Sequence, residues 1–474
     1  SSPLRVALAG TLALAGCAAI PPGKPPAAAL APDTLAPSAA MTAAATGHWP
    51  EQLWWTRFRD PQLDRLMQRA LAGNPRLATA QARIDEARGL AKVSGSATLP
   101  SVEAEAGSAL TRFTHDSYIP PEINGHDLFD RPVWVSDIGV SAAYHLDFWG
   151  RDRAALEASL DRVKVAEYEA QDARLALEDA LLRSYAQLSY AYEIQDNERG
   201  ILSDEQQTLD LANRRLKAGL GTELEIEEAK SAVAATQGEL TQIEDRMALL
   251  QHQIAALCGD GPGSAEGLAR PALTVSHEPA TLPSRIPAEL IGRRPDVLAE
   301  RYRVESAGKQ IEVAKAAFYP NVDLKATVGL LGIGFGQLVS LKAINADAGP
   351  AVTLPIFEGG KLEGALDVRR AQYDAAVDAY NATVLQALRE VADELSRHDS
   401  LEALQKRRAE RLAYARRAHE LARIAFRAGL TDYLNVLTTQ NDLNRAQNQL
   451  AQVGLQQLIS LAALNQALGG GLVQ

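Results

Sequence analysis

The side chains that could support catalysis or hold a metal are few, and their spacing suits neither task. The two cysteines, Cys17 and Cys258, are too few for a disulfide framework or for a zinc site built on thiolates. The eight histidines show no ligand spacing such as HExxH. Cys258, at a predicted helix end, is expected to be a small buried thiol. The sequence therefore predicts a protein that is not an enzyme and that has no cofactor and no metal site.

The other cysteine follows a pattern that predicts its own modification. Residues 4–17 contain one arginine, an apolar stretch and the ending Leu14-Ala15-Gly16-Cys17, which is typical of a secretory signal too short to span a bilayer. The ending is similar to the bacterial lipobox, in which the cysteine thiol carries a diacylglycerol, for example with palmitate chains. We predict a signal peptide over 1–16, lipidation of Cys17 and a Pro/Ala-rich tether over 17–47. A buried apolar start with a chance cysteine is the alternative.

Two glycine-containing turns are the most informative polar segments of the chain. They read Lys217-Ala218-Gly219-Leu220-Gly221-Thr222 and Arg427-Ala428-Gly429-Leu430-Thr431-Asp432. Each turn ends one predicted helix and begins the next, with glycine at a position that commonly needs a positive φ. We therefore expect both turns to be the tips of helical hairpins.

The elements that hold these turns recur in the two halves of the chain. Residues 74–100 align without a gap on residues 294–320, and the matches recur mainly four apart, as on one helix face. The two tip turns also align on each other. The sequence thus predicts a tandem duplication of a unit of about 210 to 220 residues. The predicted segments are a first structural repeat over 48–260, an equatorial linker over 261–290 and a second structural repeat over 291–474.

Each repeat is predicted to contain a moderate helix, two strands, one very long helix, the glycine turn and a medium helix. Residues 151–214 and 361–427 each contain no proline and a single glycine, so each can form a nearly continuous helix of about 95 to 100 Å. The two shorter helices of a repeat together span roughly 90 Å. The two lengths are similar, which predicts that each long helix packs antiparallel to the two shorter helices of its repeat, stacked end to end.

Four segments alternate between apolar and polar residues with the period of a strand. The pattern is clear in 134–148 and 321–330 and weaker in 101–113 and 345–356. Such strands are typical of transmembrane barrels with a polar lumen, and a sheet half-buried in a soluble domain is the alternative. Four strands cannot close a barrel around a channel, so several chains must contribute.

Composition limits the remaining classes of protein. The 474 residues include 48 basic and 59 acidic side chains, with a net charge of -11 and only 5% aromatic residues. Because the chain has no basic tail to neutralise phosphates, nucleic-acid binding is excluded. No segment reaches about eighteen uninterrupted apolar residues, so no transmembrane helix is predicted.

Short stretches spread over the whole mature chain carry a resemblance to a known family. They are Trp54-Trp55, Phe58, Asp60-Pro61-Gln62-Leu63, Leu66, Ala70-Leu71-Ala72-Gly73-Asn74-Pro75, Leu77, Leu146-Asp147-Phe148-Trp149-Gly150-Arg151, Ile286-Pro287-Ala288-Glu289-Leu290, Arg293-Arg294-Pro295-Asp296-Val297, Ala317-Phe318-Tyr319-Pro320, Leu354-Pro355-Ile356-Phe357, Gly359-Gly360-Lys361 and Ala467-Leu468-Gly469-Gly470-Gly471. In this joint order the chain resembles the outer membrane factors of the TolC family, and in particular the NodT-type outer membrane efflux lipoproteins.

The resemblance implies a mainly α fold with a membrane β-barrel. A long antiparallel α-helical barrel would continue into a twelve-stranded β-barrel, to which each chain of a homotrimer contributes four strands. The resemblance also implies a place in the outer membrane of a Gram-negative bacterium, with outer membrane lipid, a periplasmic adaptor (membrane fusion) protein and an inner membrane transporter as partners. Adaptor docking falls on the tip residues Lys217, Gly219, Leu220, Thr222, Arg427, Gly429, Leu430 and Asp432.

The resemblance also places a constriction of the tunnel at the tips. Many family members have acidic side chains six and nine positions beyond the second tip glycine, in a ring that attracts cations. Here these positions hold Asn435 and Thr438, while Glu225 is six positions beyond the first tip glycine. The acidic gate is therefore incomplete, and Glu225 or Asp432 would have to substitute for it.

The predicted function is transport. The chain is expected to be the outer membrane channel subunit of a tripartite efflux pump, to export drugs or small toxic compounds passively, and so to contribute to antibiotic resistance. The alternative is the outer membrane duct of a type I protein secretion system, which has the same fold but more often lacks the lipidated start that Cys17 predicts. A periplasmic coiled-coil scaffold without a pore has no use for the alternating strands.

Overall fold

The computed structural model describes residues 20–31, 35–36, 41–42, 49–114, 122–123, 126–127, 132–273, 292–334 and 340–471. The predicted lipidation site Cys17 and residues 274–290 of the predicted linker lie outside these described residues. Within the described part of the chain, every helix is too short or too polar to cross a membrane.

The helices reproduce the predicted duplication. They are α1 (Pro61–Gly73), α2 (Pro75–Ser96), α3 (Arg151–Lys217), α4 (Glu223–Leu257), α5 (Pro295–Ala316), α6 (Lys361–Arg427) and α7 (Tyr433–Ala467). Helices α2 and α5 have 22 residues each, α3 and α6 have 67 each, and α4 and α7 have 35 each. The two long helices and the tandem duplicated unit are thereby confirmed.

The strands form one main sheet that joins both repeats. Its order is β1 (Ser101–Thr111), β4 (Val133–His145), β5 (Asn321–Ile333) and β6 (Ile344–Thr353), and all neighbours are antiparallel. A separate two-residue ladder pairs β2 (Glu122–Ile123) with β3 (His126–Asp127). Among the described residues of this chain, β1 and β6 each have one edge without a partner strand.

One face of the main sheet is apolar and uncovered. Trp134, Ile138 and Val140 of β4 are 48%, 50% and 44% exposed, and Leu324 and Val328 of β5 are 43% and 56% exposed. Such a continuous apolar surface on a folded chain indicates contact with lipid or with another protein.

The chain divides into two compact units, each with residues from both repeats. Unit 1 consists of Ser1–Ala28, Asp85–Val165 and Arg301–Ala379, and it contains the main sheet. Unit 2 consists of Ala29–Ile84, Ala166–Glu300 and Tyr380–Gln474, and it contains both tip turns.

The core of unit 2 explains the stretch that precedes α1. The aromatic side chains of Trp54–Phe58 are buried in the main hydrophobic cluster, together with Tyr185 of α3. Asp60 caps α1 by accepting a hydrogen bond from the Gln62 amide at 2.8 Å. The same carboxylate accepts hydrogen bonds from the Tyr185 hydroxyl and from the Ala272 amide, both at 2.8 Å. Burial, together with the hydrogen bond to Asp60, raises the pKa of Tyr185.

Candidate functional site

The two tip turns close α3 and α6 with the same backbone motif. Gly219 and Gly429 have φ of +73° and +74°. In each turn the amide of the following leucine donates to the carbonyl oxygen five residues before it, at 2.9 Å. This is the Schellman motif at a helix C-terminus. The motif favours glycine because one of its residues adopts the left-handed conformation with positive φ. The expected positive φ at both glycines is confirmed.

Both turns also end in a residue that caps the next helix. The Thr222 hydroxyl accepts a hydrogen bond from the Glu225 amide at 3.3 Å. The Asp432 carboxylate accepts one from the Asn435 amide at 3.1 Å. An N-cap at each turn satisfies amides that have no partner inside their own helix. Each hairpin therefore reverses direction within a few residues and has defined ends.

The tips present an apolar surface with basic neighbours. Four leucines in two equivalent pairs are exposed: Leu220 (72%) with Leu430 (81%), and Leu224 (66%) with Leu434 (60%). The basic side chains of Lys217 and Arg427 next to them are exposed as well. An exposed apolar patch with a polar rim is the usual mark of a protein contact surface.

Arg215, which sequence reasoning did not select, connects the two tips. Its Nη1 donates to the Phe426 carbonyl oxygen at 3.1 Å, and its Nη2 donates to the Leu220 carbonyl oxygen at 3.2 Å. The guanidinium carbon lies 4.7 Å from the centre of the Phe426 ring. Its Nε is 3.9 Å from Glu225 Oε2. A largely buried cation thus bridges the last turns of α3 and α6.

A second contact joins the hairpins further from the tips. Arg423 of α6 donates to the Asp204 carboxylate of α3 at 3.0 Å. His419, one turn earlier on α6, is only 5% exposed, and its Nδ1 lies 3.4 Å from the Thr439 hydroxyl. Burial lowers the pKa of His419, and the nearby charge of Arg423 lowers it further.

The candidate gate side chains each have a local partner. Glu225 faces Arg215, and their carboxylate and guanidinium atoms are 3.9 Å apart. The Asn435 amide group donates to the Thr431 hydroxyl at 3.2 Å, and the Thr438 hydroxyl donates to the Leu434 carbonyl at 2.9 Å. The structure therefore engages these side chains within their own hairpins.

The duplication hid the residues that sequence reasoning missed. The gap-free alignment of the two 67-residue helices places Ala425 opposite Arg215, and Asn213 opposite Arg423. A search for shared positions therefore could not select either arginine. The one available signal was this asymmetry, since a charge present in only one of two repeated helices is not required by helix packing.

The remaining cysteine has the place expected of it. Cys258 is 3% exposed, and its thiol donates a weak hydrogen bond to the Leu66 carbonyl at 3.6 Å. Burial raises the pKa of this thiol. In the described ranges, no group of three or more His, Cys, Asp or Glu side chains could hold a metal ion.

The fold and the glycine-tipped hairpins define the class of protein. A pair of very long helices, each ending in such a tip, together with a four-stranded antiparallel sheet is the protomer of a TolC-type outer membrane channel, which has a helical barrel and a β-barrel. The chain belongs to the outer membrane efflux protein family, whose sequence profile matches residues 66–260 and 286–470. The predicted family and fold class are confirmed, and both are those of channels rather than enzymes.

Individual relatives agree with this assignment. The chain is 38% identical over 367 residues to the fusaric acid resistance protein FusA of Burkholderia cepacia, a match that covers 77% of this chain and 68% of FusA. It is 27% identical over 471 residues to the multidrug resistance outer membrane protein MdtP of Escherichia coli K12, covering 98% and 95% of the two chains. The crystal structure of VceC from Vibrio cholerae matches with a TM-score of 0.82 at 32% identity, covering 89% of this chain and 100% of VceC.

Proposed function

We propose that the chain is the outer membrane channel subunit of a tripartite efflux pump and passively exports drugs or small toxic compounds. A periplasmic adaptor (membrane fusion) protein and an inner membrane transporter complete the pump. The observation that carries the proposal is the matched pair of tips, because two turns with the same backbone motif and with exposed Leu220 and Leu430 form a surface suited to a protein partner. The names of FusA and MdtP refer to resistance, which supports efflux of toxic compounds.

A resistance experiment tests this function. Deletion of the gene should lower the minimal inhibitory concentration of at least one toxic compound, and the chain supplied from a plasmid should restore it. A variant with Leu220→Asp and Leu430→Asp should not restore resistance, because two charges would replace the apolar docking surface. Unchanged resistance after deletion, with loss of a secreted protein from the medium, would instead identify the duct of a type I protein secretion system.

We propose that the channel is a homotrimer in which three four-stranded sheets close a twelve-stranded barrel. The free edges of β1 and β6 support this, because backbone groups exposed to lipid must find partners and only neighbouring copies can supply them. The exposed apolar side chains of Trp134 and Val328 suit a lipid-facing surface. Light scattering of the detergent-solubilised protein should give three times the chain mass. A stable monomer with an intact strand signal would contradict the barrel.

We propose that Cys17 carries a lipid anchor in the outer membrane after removal of residues 1–16. The tether contacts α6 soon after this cysteine: Arg370 donates to the Pro21 carbonyl at 2.8 Å, and the Ala27 amide donates to Asp374 at 2.9 Å. Mass spectrometry of the native protein should show a diacylglycerol adduct on Cys17. An unmodified thiol in protein from the native membrane would rule out the anchor.

We further propose that the tunnel lies in the periplasm and is built from the two structural repeats, 48–260 and 291–474, with the equatorial linker 261–290 between them. Its constriction is assigned to the tips, where Arg215 joins the two hairpins. Glu225, Asn435 and Thr438 are the candidate gate residues, and the missing carboxylates at the last two positions argue for a gate that does not rely on an acidic ring.

A further inference from the structure

A cavity of about 450 Å³ lies in unit 1, at the corner where the sheet strands give way to helices. The start of α3, the end of α5 and the first described residue of the tether line it. The lining side chains that carry the argument are Ile20, Trp149, Arg153, Lys309, Lys315 and Tyr319. The lining thus combines two aromatic rings with three cations.

Among the described residues, two of the three cations at this cavity have no carboxylate partner. Lys309 is neutralised, because its Nζ lies 2.9 Å from Glu157 and 3.4 Å from Glu312. Arg153 and Lys315 are both exposed, and neither forms an ion pair with any of the residues that the structure describes. The Arg153 guanidinium lies over the turn before α3, with Nη2 3.2 Å from where a Cβ on Gly150 would be. With Glu157 and Glu312 both facing Lys309, the lining as a whole carries one net positive charge. Arg153 and Lys315 are its two cations without an ion pair among the described residues.

The aromatic wall of the cavity has the character of a membrane interface. The rings of Trp149 and Tyr319 stack with centroids 4.5 Å apart and an interplanar angle of 15°. Trp149 is 50% exposed and donates from its indole nitrogen to the Pro320 carbonyl at 2.9 Å. Strands β4 and β5 end and begin within a few residues of this pair. Tryptophan and tyrosine at the ends of transmembrane strands lie at the level of the lipid headgroups.

The tether also indicates that the cavity lies at the level of the membrane surface. Ile20 lines the cavity, and Cys17 precedes it by three residues. Three extended residues span at most about 11 Å. Since the acyl chains of a lipid on Cys17 must enter the bilayer, the cavity lies next to the membrane surface. This step rests on the proposed lipid anchor and outer membrane position.

Comparison of the two repeats shows that the fold does not require these charges. Gly95 stands at the position equivalent to Lys315, and Glu363 stands at the position equivalent to Arg153. The helices have the same lengths in both repeats, so their packing is satisfied without the two cations. The two cations next to the stacked aromatic rings are therefore available to an anionic ligand.

We propose that this cavity binds the phosphate group of a glycerophospholipid from the periplasmic leaflet of the outer membrane. Arg153 and Lys315 donate charge-assisted hydrogen bonds to the phosphate oxygens. The stacked rings of Trp149 and Tyr319 contact the glycerol and the first methylenes of the acyl chains. The bound lipid seals the corner between sheet and helices against water from the periplasm.

Native mass spectrometry of the full-length lipidated protein in detergent tests the site. The protein is mixed with phosphatidylglycerol, with phosphatidylethanolamine, or with inorganic phosphate alone. The wild-type protein should retain phospholipid. Arg153→Gln and Lys315→Gln should each weaken retention about fivefold, the change that corresponds to ~1 kcal/mol for each basic residue near a membrane surface. The control Lys92→Gln/Lys361→Gln removes two cations outside this cavity, one from α2 and one from α6, which are the helices equivalent to α5 and α3. It should retain lipid as the wild type does.

Three outcomes would overturn the proposal. Equal lipid retention by the wild type and by Arg153→Gln/Lys315→Gln would show that neither cation binds the lipid. Retention of inorganic phosphate without phospholipid would identify a site for free anions. Phospholipid binding that appears only in Cys17→Ser would show that the chain's own lipid fills the cavity. Trimer mass and planar-bilayer conductance, measured on the same samples, report separately on the proposed channel function.

Discussion

Arg215, at the end of α3, donates a hydrogen bond over 3.1 Å to the main-chain carbonyl of Phe426, at the end of α6, and its guanidinium stacks on the ring of the same residue. One side chain therefore holds the backbone of the second hairpin against the tip of the first. Because its acceptor is a main-chain atom, the hydrogen bond depends on the position of the hairpin, whereas the stacking also requires the aromatic ring of Phe426. Separation of the hairpins must break this contact.

Replacement of Arg215 by Met should favour the open tip. The variant loses charge-assisted hydrogen bonds of about 1.5 to 3 kcal/mol, which shifts an equilibrium between joined and separated hairpins by about 10-fold or more. Single trimers in planar bilayers should show a higher conductance or longer open times. Arg214→Met is the control, since Arg214 is exposed on the same turn and its Nε donates to the Asp210 carbonyl of its own helix. An unchanged conductance in an intact Arg215→Met trimer would show that the contact does not restrain the tip.

Gly219→Val and Gly429→Val should abolish pump-dependent resistance. At φ of +73° and +74°, a β-branched residue strains the turn by about 1 to 3 kcal/mol, enough to shift a hairpin that must match a partner surface. Trimer formation and membrane insertion should persist, because both turns lie far along the chain from the strands. The same substitution at Gly238, inside α4 with open space around it, is the control. Full resistance in both tip variants would separate the tips from adaptor docking.

His419 should make the hairpin contact sensitive to pH. Burial lowers its pKa in the folded state, so below about pH 6.5 the unfolded state binds more protons than the folded state, and local stability falls as pH falls. Amide hydrogen exchange near the tip ends of α6 and α7 should therefore speed up between about pH 7.5 and pH 5, beyond its intrinsic pH dependence. His419→Gln should remove this change, whereas exposed His252→Gln on α4 should keep it. Identical pH responses in all three proteins would exclude His419 as the cause.

The sequence located the elements well because their signals are local. The helix predicted over 361–427 has the observed bounds, and the one predicted over 151–214 continues to Lys217 because nothing interrupts it before Gly219. The alternation in 134–148 runs past the observed strand end at His145, since side-chain periodicity does not reveal where the backbone turns. The tip glycines were predictable for the same local reason.

The contacts between hairpins were not predictable in this way. Arg215 and Phe426 are separated by 211 residues, and Arg423 and Asp204 by 219. Each pair meets only after two long helices have packed, and nothing in the residues around either arginine indicates a distant partner. The cavity proposed to bind phospholipid was not predictable either, because its lining comes from the tether and from both repeats.

Divalent cations should have little effect on the conductance of this channel. Neutral Asn435 and Thr438 stand at the positions where the family resemblance implies an acidic ring, Glu225 faces Arg215 at 3.9 Å, and the Asp432 carboxylate caps α7. Millimolar divalent ions on the periplasmic side should therefore block the wild-type channel weakly in planar bilayers, and Asn435→Asp/Thr438→Asp should create strong block by supplying the ring that attracts cations. Asn441→Asp, an added charge on the exposed face of α7 further from the tip, is the control and should leave block weak. Strong block of the wild type that survives neutralisation of Glu225 and Asp432 would mean that another carboxylate forms the gate.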